Sequence, residues 1–473
     1  MPIFVVLERA RCYNAGMKIR TMLAVCACKL SRFAIRLLGG NGTDFPGRVA
    51  LRLCPDLLGE LARSVTTIVI TGTNGKTTTV RMTEQVLADS EISYFANRSG
   101  ANLLPGITAE YAVHAGLTGK SRFTHAVIEA DEATFKYVAK YTDPAVVIVT
   151  NLFRDQLDRY GAVTGTLAEL RRGVENSPHA VLCLNGDDSL SASLAENVPN
   201  EVIYYGVDTP IYATEAEEVS DAPFCESCGA AFVYDYITYG HLGGYRCPVC
   251  GRARPRPRVS VREVEALTDS GSRVILRTDG TDHAAQIGIA GGFNLYNACA
   301  AVSAGLALCL PPETAVGALA HFSVGFGRME TFTLEQTPAC MSLVKNPAGI
   351  NQNIRFLRET LNEEACLVFC LTDKVSDGTD ISWIWDVEFE GLAELSDRIV
   401  GMIFGGNRAE ELALRAKYAG LDPERTQICK DNEELLRLVA QQKKKTYIFP
   451  TYNAMVDLRE LLTKKCGLSA FWE

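Results

Sequence analysis

Residues 68–79 read Ile-Val-Ile-Thr-Gly-Thr-Asn-Gly-Lys-Thr-Thr-Thr, a pattern suited to holding a nucleoside triphosphate. Gly72 and Gly75 permit the turn that aims successive backbone N–H groups at an anion. Lys76 supplies a cation for the β and γ phosphates, and Thr77 offers its hydroxyl to Mg²⁺. Thr73, Asn74 and Thr78 complete the contact set, and the N-terminus of the following helix adds a favourable dipole. The loop is G-x-x-G-K-T, two residues tighter than the four-spacer phosphate-binding loop. A glycine-rich turn that binds nothing has no need of the Lys-Thr pair, so ATP binding is the first expectation.

A second constellation is Cys225-Glu226-Ser227-Cys228 with Cys247-Pro248-Val249-Cys250, each pair followed by glycine. The spacing C-x2-C-x18-C-x2-C makes two knuckles that present four thiolates, a closed tetrahedral zinc site with a structural role. Glu129 ends a buried apolar run about fifty residues after the loop, where a carboxylate takes a Mg²⁺ position beside Thr77. The competing reading makes Glu129 a helix-capping acid in the stretch Glu129 to Glu132. His125 reads as a packed or surface histidine.

The elements that must position these groups follow from periodicity. Short β-branched runs at residues 68–71, 93–95, 124–130, 145–150, 181–188 and 202–205 alternate with helical stretches, the signature of a parallel α/β sheet. Polar residues at the strand ends are where such sheets bind ligands. Composition changes over 221–258, where the cysteines and a Pro/Arg run mark an inserted module. Short strands resume at 259–264, 273–277 and 284–289, before Gly291-Gly292-Phe293-Asn294 opens an Ala-rich helix over 295–308. From about residue 331 a smaller α/β unit follows, with strands expected at 342–344, 365–371, 399–404 and 446–449. Helices at 351–361, 408–419 and 432–441 separate them, and Gly420 is a natural stop. Three regions are therefore expected: an N-terminal extension with an amphipathic helix (1–60), a central ATP-binding domain (61–330) and a C-terminal α/β domain (331–473).

At 473 residues the chain exceeds one core. A net charge of −9 argues against broad nucleic-acid binding. The sixteen cysteines lie mostly in apolar runs and, outside the C-x2-C pairs, read as small core residues in a reducing compartment. Residues 18–38 read as an amphipathic helix rather than a signal peptide, because no small-residue cleavage site follows; Met17 is a candidate start.

Together TGTNGKTTT, IEADEA, TNLFRDQLDRYG, GGFNLYNACAA and GFGRME resemble the Mur ligases, ATP-dependent enzymes of peptidoglycan assembly. The four-cysteine ribbon, KNPAGINQ and DGTDISWIWDVEFE resemble the MurT branch of that family, over residues 18 to 460. The resemblance implies phosphorylation of a carboxylate by ATP and displacement of phosphate by ammonia. The implied substrate is the α-carboxyl of D-glutamate in lipid II, and the implied ammonia source is glutamine hydrolysed by a GatD-type partner. It further implies work at the inner face of the cell membrane, Phe293, Asn294 and Asn297 framing adenine, and Arg328 meeting the nucleotide at the domain boundary. In the resembling family an aspartate of this domain completes the partner's Cys-His-Asp triad, which implies that role here for Asp380, then Asp377, with Asp386 third. Two departures stand out: Asp155-Gln156-Leu157-Asp158 where Mur ligases usually have D-H-L-D, and Lys345-Asn346-Pro347 where many have His-Asn-Pro. The first puts a second metal site in question. Rival readings are a Mur-type ligase adding an amino acid to a peptide or folate-like substrate, and a non-catalytic nucleotide-binding regulator.

Overall fold

A computed structural model describes residues 19–38, 42–97, 101–155, 163–212, 220–322, 327–374 and 376–468. The apolar runs form a nine-stranded sheet from β1 (Thr66–Thr71), β2 (Tyr94–Ala96), β3 (His125–Glu129), β4 (Val146–Val149), β5 (Val181–Asn185), β6 (Val202–Val207), β9 (Val259–Leu267), β10 (Ser272–Thr278) and β11 (Thr281–Ile287). The order is β11-β10-β9-β6-β5-β4-β1-β3-β2. From β2 to β9 the pairs are parallel, and β9-β10-β11 close that edge as an antiparallel meander. β1 lies between β3 and β4, so the chain reverses its direction across the sheet there. Its carboxyl end is the crevice where such sheets bind ligands.

Helices cover both faces, which is why β1 and β4 are apolar at successive positions rather than alternating. One face packs on the helix after the phosphate loop, α4 (Lys76–Asp89), and on the Ala-rich α9 (Phe293–Ala307). The other packs on α1 (Ile19–Leu37), α2 (Asp44–Leu53), α3 (Leu57–Ala62), α5 (Leu104–His114), α6 (Glu132–Thr142) and α7 (Val163–Glu175); the short α8 is Ser189–Ser193 and α10 is Pro312–His321. Between α1 and β1 the chain forms two helices, α2 and α3. Pro55 forces Cys54 out of the helical region (φ −141°, ψ 94°) and separates them.

Residues 330–450 build a second sheet, ordered β12-β13-β17-β14-β15-β16. Its strands are β12 (Glu330–Leu334), β13 (Thr337–Met341), β14 (Ala365–Cys370), β15 (Ile399–Gly405), β16 (Thr426–Ile428) and β17 (Lys445–Pro450). The strand expected at 342–344 lies earlier, at Thr337–Met341. Ser342 and Val344 still donate to Ile448 and Pro450, but the chain is already leaving the sheet for the cleft. Pro338 hid this strand from a reading by propensity; it is tolerated beside the edge strand β12. Helices α11 (Pro347–Thr360), α13 (Ala409–Tyr418) and α14 (Asn432–Gln442) match expectation, and Gly420 (φ +81°) follows the second. The final helix α15 (Tyr452–Cys466), the short α12 (Glu390–Ala393) and strand β16 were not anticipated.

The module at 221–258 carries the hairpin β7 (Val233–Tyr239) and β8 (Leu242–Arg246). Its turn enters the core: Tyr239 stacks on Phe153 at 5.6 Å, and buried His241 meets Asp188 at 3.2 Å. From the second sheet's layer, Arg355 donates to the Thr238 carbonyl at 2.7 Å. Sequence alone marked the module as an insertion in the sheet domain; in the structure its hairpin tip is part of the packing between the two sheets.

Candidate active site and cysteine centre

β1 ends at Thr71 and α4 begins at Lys76, leaving Gly72 to Gly75 to make the turn. Gly72 (φ +118°) and Gly75 (φ +86°) both occupy backbone regions that side chains disfavour. A Cβ at Gly75 would also lie 2.1 Å from Asn297 Oδ1. Asn151, at the carboxyl end of β4, braces the loop: its Oδ1 accepts from Asn74 N at 3.0 Å and its Nδ2 donates to Asn74 O at 3.2 Å. Thr73 is tied to Phe153 through its hydroxyl.

Lys76 is buried and ion-paired to Glu132 at 2.9 Å, and donates to the carbonyls of Gly72 and Thr73. Burial pulls its ammonium pKa down, but Glu132, Glu129 and Asp131 together outweigh this and hold it above the ordinary lysine value. Thr77 Oγ1 donates to Glu129 Oε2 at 2.8 Å. Asp131, not Glu129, caps α6 by accepting from Ala133 N, which removes the capping reading for Glu129. Asn97 fixes the Glu129 backbone through two 2.8 Å bonds. The hydroxyl and carboxylate thus sit side by side, an all-oxygen donor set suited to a hard divalent cation.

Arg328 reaches this pair from the chain entering the second sheet, with Nη2 3.5 Å from Thr77 Oγ1. Its neighbours Gly327 (φ +69°) and Met329 (φ +53°) both take left-handed backbone conformations, a double turn that aims the guanidinium into the cleft. Burial lowers the Arg328 pKa and the Glu129 carboxylate opposes that shift. Gly325 and Phe326 of the same motif lie outside the described residues.

A cleft opens between the loop and α11. Asn74, Thr78, Phe293, Asn294, Asn297 and Arg328, all expected from sequence, line it. Asn297 accepts from Thr79 at 3.2 Å and donates to Asn294 at 2.8 Å, joining α9 to the phosphate loop. Further contributors were not among the site residues expected from sequence. Tyr239 arrives from the cysteine module, and Gln352 and Asn353 from α11; Asn346 Nδ2 donates to Asn74 Oδ1 at 3.1 Å. Asn346 and Gln352 lie in the KNPAGINQ run quoted above, and Asn346 is the N-cap of α11. The two departures from the Mur pattern also meet, for Lys345 pairs with Asp155. Gln156 to Asp158 lie outside the described residues.

The three aspartates separate clearly. Asp377 is buried and spent internally, accepting from Asn453 N at 3.1 Å, Asn453 Nδ2 at 2.8 Å and the Thr372 hydroxyl. Asp386 faces Arg154 Nη2 at 3.4 Å. Asp380 is exposed, and its Oδ1 accepts from Ser382 N at 2.8 Å. Nearby, half-exposed Trp385 packs on exposed Tyr418 with ring centroids 5.6 Å apart.

The sulfur atoms of Cys225, Cys228, Cys247 and Cys250 lie within 4.8 Å of one another. The N–H groups of Cys250 and Val249 hold the Cys247 thiol down to about 6. At Cys250 the N–H of Arg252 pulls the same way, but the neighbouring sulfurs prevail and push it up to about 12. Four thiols this close cannot all ionise without a cation, so the donor set fits Zn²⁺. Cys247→Ser is expected to lose one equivalent of zinc and lower Tm by about 5–10 °C, for a loss of roughly 3 kcal/mol. Weaker ADP binding should accompany it because Tyr239 rides on the same hairpin. Metal analysis with calorimetry checks this; unchanged zinc content would refute it.

Comparison with known proteins places this geometry. Residues 70–305 match the Mur ligase middle domain and residues 343–455 the MurT ligase C-terminal domain. The MurT subunit of lipid II isoglutaminyl synthase (glutamine-hydrolyzing) from Streptococcus pneumoniae is 33% identical, covering 95% of this chain and 98% of that protein. The subunit of the same name from Staphylococcus aureus is 33% identical over 94% of this chain and 98% of its own. Among solved structures, a pseudomurein peptide ligase type C from Methanothermus fervidus superposes with a TM-score of 0.62 at 22% identity, covering 85% of this chain and 79% of that one, a likeness of fold. The chain belongs to the MurT family of Mur-type ligases.

Proposed function

We propose that this chain is the synthetase subunit of a lipid II isoglutaminyl synthase. It amidates the α-carboxyl of D-glutamate in the lipid II stem peptide to D-isoglutamine, with ammonia released from glutamine by a GatD-type glutaminase. The work is cytoplasmic, at the inner membrane face. The observation that carries the reading is the convergence of Lys76, the Thr77–Glu129 pair and Arg328 beside the cleft that Arg328 and the phosphate loop line; the names of the relatives supply the substrate.

In this reading the substrate carboxylate attacks the γ-phosphorus and ADP leaves with the bond pair. The nitrogen lone pair of ammonia then attacks the acyl carbon, inorganic phosphate leaves, and a proton is lost from nitrogen. Lys76 and Arg328 oppose the charge that develops on the transferred phosphoryl, which matters most where water is excluded. Phe293, Asn294 and Asn297 frame the adenine end. Thr77 and Glu129 would hold Mg²⁺, whose contribution when bound is neutralisation of phosphate charge. Asp380 faces outward to orient the partner's histidine; Asp377 is committed to Asn453 and Thr372.

The test is amidation of lipid II by the zinc-loaded chain with ATP, Mg²⁺ and ammonium. Mass spectrometry should show replacement of OH by NH2, with one ADP formed per amide. Glutamine should support the reaction only after a second protein is added. No amide at high ammonium would sink the reading, and amino-acid addition in its place would favour the Mur-type alternative.

A further inference from the structure

Large apolar side chains are normally buried, yet many exposed ones concentrate in the first described helices. On α1, Ile19, Leu23, Leu30 (68% exposed), Phe33 (62%) and Leu37 (71%) face outward. Leu38, Phe45 and Leu53, in the residues that follow, are exposed as well, and Arg20 donates to the Leu53 carbonyl beside α1. At about 100° per residue, the five on α1 fall within roughly 40° of one line along the helix. The opposite side is already used: Thr21, Ala24, Val25 and Cys28 are buried against the protein. Arg32 and Lys29 tether that helix to Glu110 and the Ala115 carbonyl. α1 is therefore apolar on two faces, and one of them is covered.

Charge says what covers the other. Arg20 and Arg36 flank the apolar line on opposite sides. Between residues 19 and 63 there are seven cations against three acids, a net of +4 in a chain whose total is −9. An apolar stripe edged by cations is the chemistry of an interfacial helix on an anionic lipid surface. Among the described residues no helix is long and apolar enough to cross a membrane, so the helix lies in the plane of the interface.

We propose that the outer face of α1, with Phe45 and Leu53, docks this protein onto an anionic membrane surface. This rests on the reading above that the substrate is lipid-linked. It adds the surface by which the cleft is brought to that substrate and held there.

Flotation of the full chain with vesicles rich in phosphatidylglycerol, against vesicles of phosphatidylcholine alone, tests it. Binding is expected to the anionic vesicles and to weaken in high salt. The L30E/F33E double variant should lose at least about tenfold in partition coefficient, with Tm and ADP binding unchanged. Arg20→Glu with Arg36→Glu should lose binding while keeping the apolar stripe. Retained vesicle binding in both variants overturns the proposal. So does failure of the full chain to bind while a form lacking residues 1–18 binds, which would make that segment the occupant. Loss of partner co-elution or of self-association in L30E/F33E, with vesicle binding intact, also overturns it. Ammonium-driven amidation of a water-soluble, lipid-free stem-peptide precursor separates the two readings. If it proceeds without vesicle binding, the docking surface alone falls; if vesicles bind and no precursor or lipid II is amidated, the functional reading alone falls.

Discussion

Lys76→Met is expected to lower ATP-dependent amidation at least about 10³-fold, even with saturating ammonium. The lost group is the buried cation of the phosphate loop, and no other lysine reaches the Thr77–Glu129 pair among the described contacts. The substitution also strands Glu132, whose carboxylate is nearly buried and paired to Lys76 at 2.9 Å. An unpaired buried carboxylate costs about 3–5 kcal/mol, so a fall in Tm would confuse a simple activity reading. K76M/E132Q removes both charges and should recover much of that stability without recovering turnover. Single-turnover measurement of ADP formation reads the chemical step directly. Substantial activity in the double variant would mean that the phosphoryl group is held elsewhere in the cleft.

Asp380→Asn is expected to separate the two nitrogen sources. Glutamine-driven amidation by the complex should fall by about 10³–10⁴-fold, the scale seen when a triad loses its orienting carboxylate. Ammonium-driven amidation should stay within about twofold, since Asp380 is exposed and its only described bond is to the Ser382 amide. Asparagine keeps an oxygen for that bond, so the local turn survives. Asp377→Asn makes the contrast: Asp377 binds Asn453 and Thr372 inside the domain, so its loss should reduce Tm and both reactions together. If Asp380→Asn lowers both activities equally, it acts within this chain and not across an interface with a glutaminase.

What the residues determined alone was everything local. The β-branched run ending in Gly72, the Lys76-Thr77 pair and the two C-x2-C knuckles each depend on neighbours within a few positions. Their geometry follows from turn conformations that glycine permits. The parallel sheet was legible for the same reason, because strands buried on both faces read as continuous apolar runs. Contacts between residues far apart in sequence were not legible. Glu132 partners Lys76 because β1 and β3 lie side by side in one sheet, while Asn346 reaching Asn74 and Lys345 meeting Asp155 exist because two sheets pack against each other. That Asp377 is buried while Asp380 is exposed was not legible either, since periodicity does not report burial for a ten-residue turn. Tyr239 entered the cleft because the cysteine module folds its hairpin inward, although its spacing marked it only as an insertion. α1 shows the same limit, since its sequence predicts an amphipathic helix, but only packing says which apolar face the protein has already covered and which it leaves to solvent.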